Sequence, residues 1–169
     1  IYAEDLVRHF GVDAVRYYSL HEMPFAQDGT ITYDVFISRY NSDLANTLGN
    51  LVNRTVAMTN KYFGGVISTE GTADALDEEL KNCAHRAVSE VAEKMQTLRI
   101  ADSMDEIWKI VDRANKYIDE TMPWALAKNE EDKPRLMRVL YNLLETIRII
   151  ASLLSSFMPE TAEKIRQQI

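Results

Sequence analysis

The stretch Asp34–Tyr62, DVFISRYNSDLANTLGNLVNRTVAMTNKY, decides the fold class. Ile37, Tyr40, Leu44, Leu48, Leu51, Val52, Thr55, Met58 and Tyr62 recur along it every three or four positions. At about 100° per residue these positions fall on one broad face, the pattern of a helix packed on one side. The opposite side carries Asn46, Asn50 and Arg54 at i, i+4 and i+8, with Asn53 beside them. Side chains at that spacing stand in one stripe, pointing away from the core.

The stripe reads in two ways. It is a solvated helix face, or it is a surface that reads a ligand. Solvated faces are usually built from Glu, Lys, Gln and Arg, whereas Asn costs roughly 0.5 kcal/mol more than Ala at each helical position and Gly about 1. Asn41, Asn46, Asn50, Asn53, Asn60 and mid-helix Gly49 therefore give up a few kcal/mol of helix propensity. Amides that both donate and accept, set beside a forked guanidinium, suit the edges of unpaired bases.

Outward from this stretch the chain continues as helices. Gly64-Gly65 stops the first, and a mostly polar loop runs from Val66 to Ala75. Leu76–Ile100 reads as a second long helix with Leu80, Cys83, Ala84, Ala87, Val88, Val91, Met95 and Leu98 inward. Asp102 or Ser103 is placed to cap a third, which carries Met104, Ile107, Trp108, Val111, Ala114 and Ile118 on one side and stops before Pro123. The charged loop Lys128–Lys133 leads to Pro134 and an apolar helix through Leu136, Leu140, Leu143, Leu144, Ile147, Ile150, Leu154 and Phe157. Pro159 opens a last helix. Before Asp34, residues Ala3–Phe10 and Val12–Glu22 read as two short helices, with Val12, Val15 and Tyr18 inward and Asp13 at a helix start. Met23–Thr30 is a turn cluster, and Ile31–Tyr33 is expected to be a short strand. Long helices with short links mean an all-α helical bundle, residues 35–169, with a small connecting subdomain at 1–34.

With 169 residues and 46% hydrophobic composition, the chain can bury one substantial core. Ile1, rather than Met, leads straight into a helical pattern, so a piece of a longer protein is expected. No apolar run approaches the roughly 20 residues that span a bilayer. Cys83 is alone, which excludes an intrachain disulfide and a cysteine zinc cluster and points to a reducing, cytoplasmic setting. The net charge of -7 argues against holding nucleic acid by the overall field. Residues 73–132 carry 15 acidic and 8 basic side chains, so the acidity belongs to the middle helices and not to the Asn stripe.

No catalytic constellation is present. His9, His21 and His85 lie in three segments and match no metal-ligand spacing, and neither a phosphate-binding glycine loop nor a Gly-x-Ser-x-Gly elbow occurs. Trp108, within MDEIWKIV, reads as core. Trp124 follows Pro123 in MPWALAK, where the chain leaves a helix. Buried packing is one reading of it; a proline-fixed platform for stacking an unpaired base is the other.

FGVDAVRYYSLHEMPFAQDG, RYNSDLANTLGNLVNR and MPWALAK, in this order and spacing, resemble the C-terminal half of bacterial methionyl-tRNA synthetases over essentially the whole chain. The first stretch also resembles other class I synthetases; the Asn-rich helix followed by Pro-Trp-x-x-Ala-Lys is the specific part. The resemblance implies a helical anticodon-binding domain preceded by a stem-contact subdomain. By the same resemblance, Asn46, Asn50, Arg54, Pro123 and Trp124 recognise the CAU anticodon of methionine tRNA. It also implies a parent ligase that joins methionine to its tRNA. ATP with magnesium, the signature loops that bind it, and a zinc knuckle would then lie upstream of Ile1. No cofactor is expected within these residues, and the partners are the methionine tRNA anticodon stem-loop and the parent's own catalytic domain. Two alternatives stay open: a helical bundle that docks a protein partner through its Asn face, and the anticodon domain of a sister synthetase.

Overall fold

In the computed structural model, which describes residues 2–23 and 29–169, every regular element is helical. Two short helices, α1 (Ala3–Phe10) and α2 (Val12–His21), come first. Then α3 (Tyr33–Arg39), a π-helical stretch (Tyr40–Gly49) and α4 (Asn50–Phe63) run on as one rod. After it come α5 (Ala75–Gln96), α6 (Ile100–Thr121), the single turn α7 (Pro123–Leu126), α8 (Lys133–Leu154) and α9 (Pro159–Arg166). The expected strand at Ile31–Tyr33 does not form. Thr32 is instead the N-cap of α3, its Oγ1 accepting the Val35 N–H at 3.3 Å. Most of the expected turn cluster, residues 24–28, lies outside the described residues.

The main core is made by α4, α5, α6 and α8, with α9 closing one end. Leu51, Leu80, Ile107, Ile110, Leu140, Leu143, Ile147 and Ile150 are all buried within it. A second, smaller cluster joins Leu6, Ala14, Tyr18 and Phe36, with Phe10 and Tyr40 packed on it. The helix α2 belongs to both clusters, sending Tyr17 to the first and Tyr18 to the second.

Several inward positions expected from helical spacing are exposed. Ile37 is 40% exposed while its neighbour Phe36 is buried. The segment before the π stretch packs on the small cluster and not on the bundle, so its phase follows a different partner. Val12 stands out in solvent and Asp13 goes inside. Asp13 Oδ2 accepts the Thr161 N–H of α9 at 2.6 Å, so this carboxylate caps a helix distant in sequence as well as sitting at the start of its own. Arg16 works at the same corner, with Nε donating to the Phe157 carbonyl at 2.7 Å. Leu98, with φ 58, turns the chain between α5 and α6 and is exposed. That early turn starts α6 at Ile100 with Arg99 as N-cap, so Asp102 and Ser103 lie inside the helix and do not cap it; Asp102 pairs with Arg99 at 2.6 Å. Val88 and Met95 are likewise exposed on α5. Trp108 is only partly buried, lying against Tyr17 with ring centroids 4.8 Å apart.

The start of α5 is fixed reciprocally: Asp74 Oδ1 accepts the Leu76 N–H, and the Asp74 N–H donates to Asp77 Oδ2 at 3.0 Å. Asp77 is fully buried. It accepts both Arg135 Nη donors at 2.8 Å and the Tyr117 hydroxyl at 2.6 Å, which ties α5, α6 and α8 together. Among the described residues no helix is long and apolar enough to cross a membrane.

Candidate nucleic-acid interface

The π stretch explains the mid-helix glycine. In this wider i→i+5 winding a Cβ on Gly49 would stand 3.0 Å from the Leu44 carbonyl oxygen, five residues back. From Asn50 the chain returns to α-helical winding, and Leu51, Val52, Thr55 and Thr59 go inward. Asn46, Asn50 and Asn53 are left exposed. Gly64, with φ 60, ends the rod, and its N–H donates to the Asn60 carbonyl at 3.0 Å.

Trp124 reaches the same surface from the other side. Pro disfavours right-handed helical backbone in the residue before it, and α6 ends at Met122, which is left-handed with φ 45. The chain turns there, and Pro123, buried, opens α7 with Trp124 next to it. The indole remains 43% exposed. The Arg54 guanidinium carbon lies 6.0 Å from the Trp124 ring centroid, and Arg54 Nη2 donates to Asp119 Oδ1 at 3.3 Å. A cation at that distance from an indole is within reach of the attraction to its face. Arg54 and Trp124, 70 positions apart, thus stand together at the surface, and Asn46 and Asn50 are exposed earlier on the same rod.

The structure therefore brings Arg54 and Trp124 together, keeps Asn46 and Asn50 exposed on the rod, and buries Pro123 at the start of α7. The acidity does belong to the middle helices, and one of them reaches the rod. Asp119 belongs to α6, one of those helices, and it pairs with Arg54 directly. Asn115, one turn before Asp119, donates from Nδ2 to the Thr47 carbonyl at 3.2 Å and so also reaches the rod. Neither contact is visible in the sequence of the rod itself; the i, i+4 spacing of Asn115 and Asp119 on α6 is the trace they leave. Among the described residues no group of three or more His, Cys, Asp or Glu side chains converges as a metal site would require. Burial pushes the Cys83 thiol above its usual range, which leaves it a poor nucleophile.

Two stretches of the chain match known families. Residues 67–169 match the model described as the anticodon binding domain of methionyl tRNA ligase, more than half of the chain. The chain belongs to that family. Residues 1–56 match a second model, tRNA synthetases class I (M). In this anticodon-binding family member Asn46, Asn50 and Arg54 lie in one matched region and Trp124 in the other. The methionine–tRNA ligase of Clostridium tetani is 52% identical over 164 residues, covering 97% of this chain and 26% of that protein. That of Clostridium perfringens is 51% identical, covering 97% of this chain and 25% of that protein. The chain spans about a quarter of the length of these relatives. Among solved structures, methionyl-tRNA synthetase of Mycobacterium tuberculosis in complex with methionyl-adenylate superposes with a TM-score of 0.93 at 35% identity, covering 98% of this chain and 33% of that one.

Proposed function

We propose that this chain is the tRNA-selecting piece of a methionine–tRNA ligase and that it reads the CAU anticodon of methionine tRNA. The observation that carries the reading is the Arg54 guanidinium beside the exposed Trp124 ring, on the same rod as the exposed amides of Asn46 and Asn50. An indole face held in place is a platform for an unpaired base, while amides and a guanidinium give and accept hydrogen bonds at base edges. In this reading Trp124 stacks a base, Asn46, Asn50 and Arg54 bond base edges, and Pro123 sets the ring's direction. Residues 1–34 contact the tRNA stem and link to the catalytic part of the parent, and 35–169 form the anticodon-binding bundle. The parent, cytoplasmic, attaches methionine to its tRNA. It uses ATP with magnesium, and any zinc, at sites outside these residues.

The test is a titration with a methionine tRNA anticodon hairpin at low salt, read by Trp fluorescence, with a hairpin altered at one anticodon base as control. Quenching by the first hairpin and not the second supports the reading; equal response to both overturns it. Trp124→Ala should weaken hairpin binding by about 1–3 kcal/mol, the usual worth of a base–aromatic stack. Its far-ultraviolet circular dichroism should match wild type, because the ring is exposed and contributes little to the core. Loss of the helical spectrum would mean that Trp124 serves packing instead.

A further inference from the structure

We propose that Asn115 is a positioning residue: it holds the junction where the π-helical stretch returns to α-helix, and so sets the direction of Asn46 relative to Asn50 and Arg54. The inference rests on the anticodon-reading function proposed above. Three features meet at this junction. The Asn50 N–H lies within reach of two carbonyls, Ala45 and Thr47. Asn115 Nδ2, from α6, donates to that same Thr47 carbonyl at 3.2 Å and to the Val111 carbonyl of its own helix at 3.2 Å. Gly49 leaves room for the Leu44 carbonyl, 3.0 Å from where a Cβ would stand.

The consequence is geometric. In an α-helix each residue turns by about 100°, whereas i→i+5 winding turns each residue through a smaller angle. Asn46 lies inside the wide stretch, and Asn50 and Arg54 lie beyond it. The winding of residues 46–50 therefore sets the angle between the Asn46 amide and the other two. Purely α-helical winding sets residues four apart about 40° from each other, and the wider winding shifts that angle. The wide turn frees backbone groups from their α-helical partners, and such groups need other partners. Asn115 supplies one from outside the rod, at the carbonyl directly after Asn46. The Thr47 side chain supplies another, with Oγ1 donating to the Ser42 carbonyl, five residues back, at 2.7 Å.

Two measurements decide the matter. The first needs no RNA: backbone chemical shifts of residues 40–50 in wild type, Asn115→Ala and Gly49→Ala. Both substitutions should move these shifts toward ordinary α-helical values, one by removing the outside donor and the other by placing a Cβ against the Leu44 carbonyl. Shifts unchanged in both variants would overturn the positioning role. The second is a double-mutant cycle on hairpin binding with Asn46→Ala. Asn115→Ala alone should weaken binding roughly three- to tenfold, the worth of about one hydrogen bond, and should add little in the Asn46→Ala background. Additive effects would show that Asn115 does not act through Asn46. A wild-type protein that ignores every hairpin would overturn the RNA reading alone, and the chemical shifts would still decide the role of Asn115 in the junction.

Discussion

Arg135→Ala should destabilise the protein by about 3–5 kcal/mol, the usual result of removing one member of a buried ion pair. For a chain of this size that lowers the melting temperature by on the order of 10 °C. The reason lies in what stays behind. The Asp77 side chain has no exposure to solvent, and Arg135 provides two of its hydrogen bonds, both at 2.8 Å. Burial pushes the Asp77 carboxyl up, but the hydrogen bonds from Arg135, Tyr117 and the Asp74 backbone outweigh it and hold the group below the usual carboxylate range. The sign of the pH effect follows. A depressed native value gives stability that is present above the carboxylate range of the unfolded chain and is lost as pH falls through the native value. Without Arg135 the largest of these opposing contributions is gone, and the charged form of Asp77 becomes a cost. The gap between variant and wild type should therefore be widest near neutral pH and should close in acid, where Asp77 is protonated in both. Chemical denaturation at several pH values measures this, and a gap that is constant with pH would contradict the account. Burial and Asp77 push the Tyr117 hydroxyl up, so it donates to Asp77 throughout that range.

Phe36→Ala is expected to cost a similar amount, about 3–5 kcal/mol, but locally. Phe36 is the centre of the small cluster, 1% exposed, with ring centroids 5.0 Å from Phe10 and 5.1 Å from Tyr18. The bundle core does not include it. Hydrogen exchange should show lost protection in α1 and α3 while α5, α6 and α8 keep theirs. The helix α2 should hold longer than its neighbours. Arg16 and Asp13 tie it to the corner between α8 and α9, and the Tyr17 hydroxyl donates to Asp43 at 2.7 Å. Uniform loss of protection across both clusters would show that the chain opens as one unit instead.

The helices themselves were legible in the sequence because their cause is local. A three-to-four-residue apolar spacing, Gly64-Gly65 as a stop, and Pro134 and Pro159 as starts act within a turn or two of backbone. They led to the right class and to nearly the right helix limits. The composition of the Asn stripe was legible for the same reason, since poor helix formers on an exposed face are a departure that can be counted. Where spacing failed, a partner distant in sequence had chosen the buried face. Phe36 rather than Ile37, and Asp13 rather than Val12, went inside because the small cluster and the α9 N-terminus lay there. The π stretch was illegible because i→i+5 winding leaves no apolar signature of its own; Gly49 marked it only in hindsight.

By itself, then, the amino-acid sequence determined that this chain is a bundle of amphipathic helices with an Asn and Arg face and a proline-set tryptophan, since each of those rests on contacts within a few residues. Only the tertiary structure decided that Arg54 lies beside Trp124, that Asp119 and Asn115 from the acidic α6 reach the rod, and that Asn46 sits on a wider turn than Asn50. Those are choices between faces and neighbours. They follow from which surfaces exclude water together, a property of the packed molecule that no single helix carries.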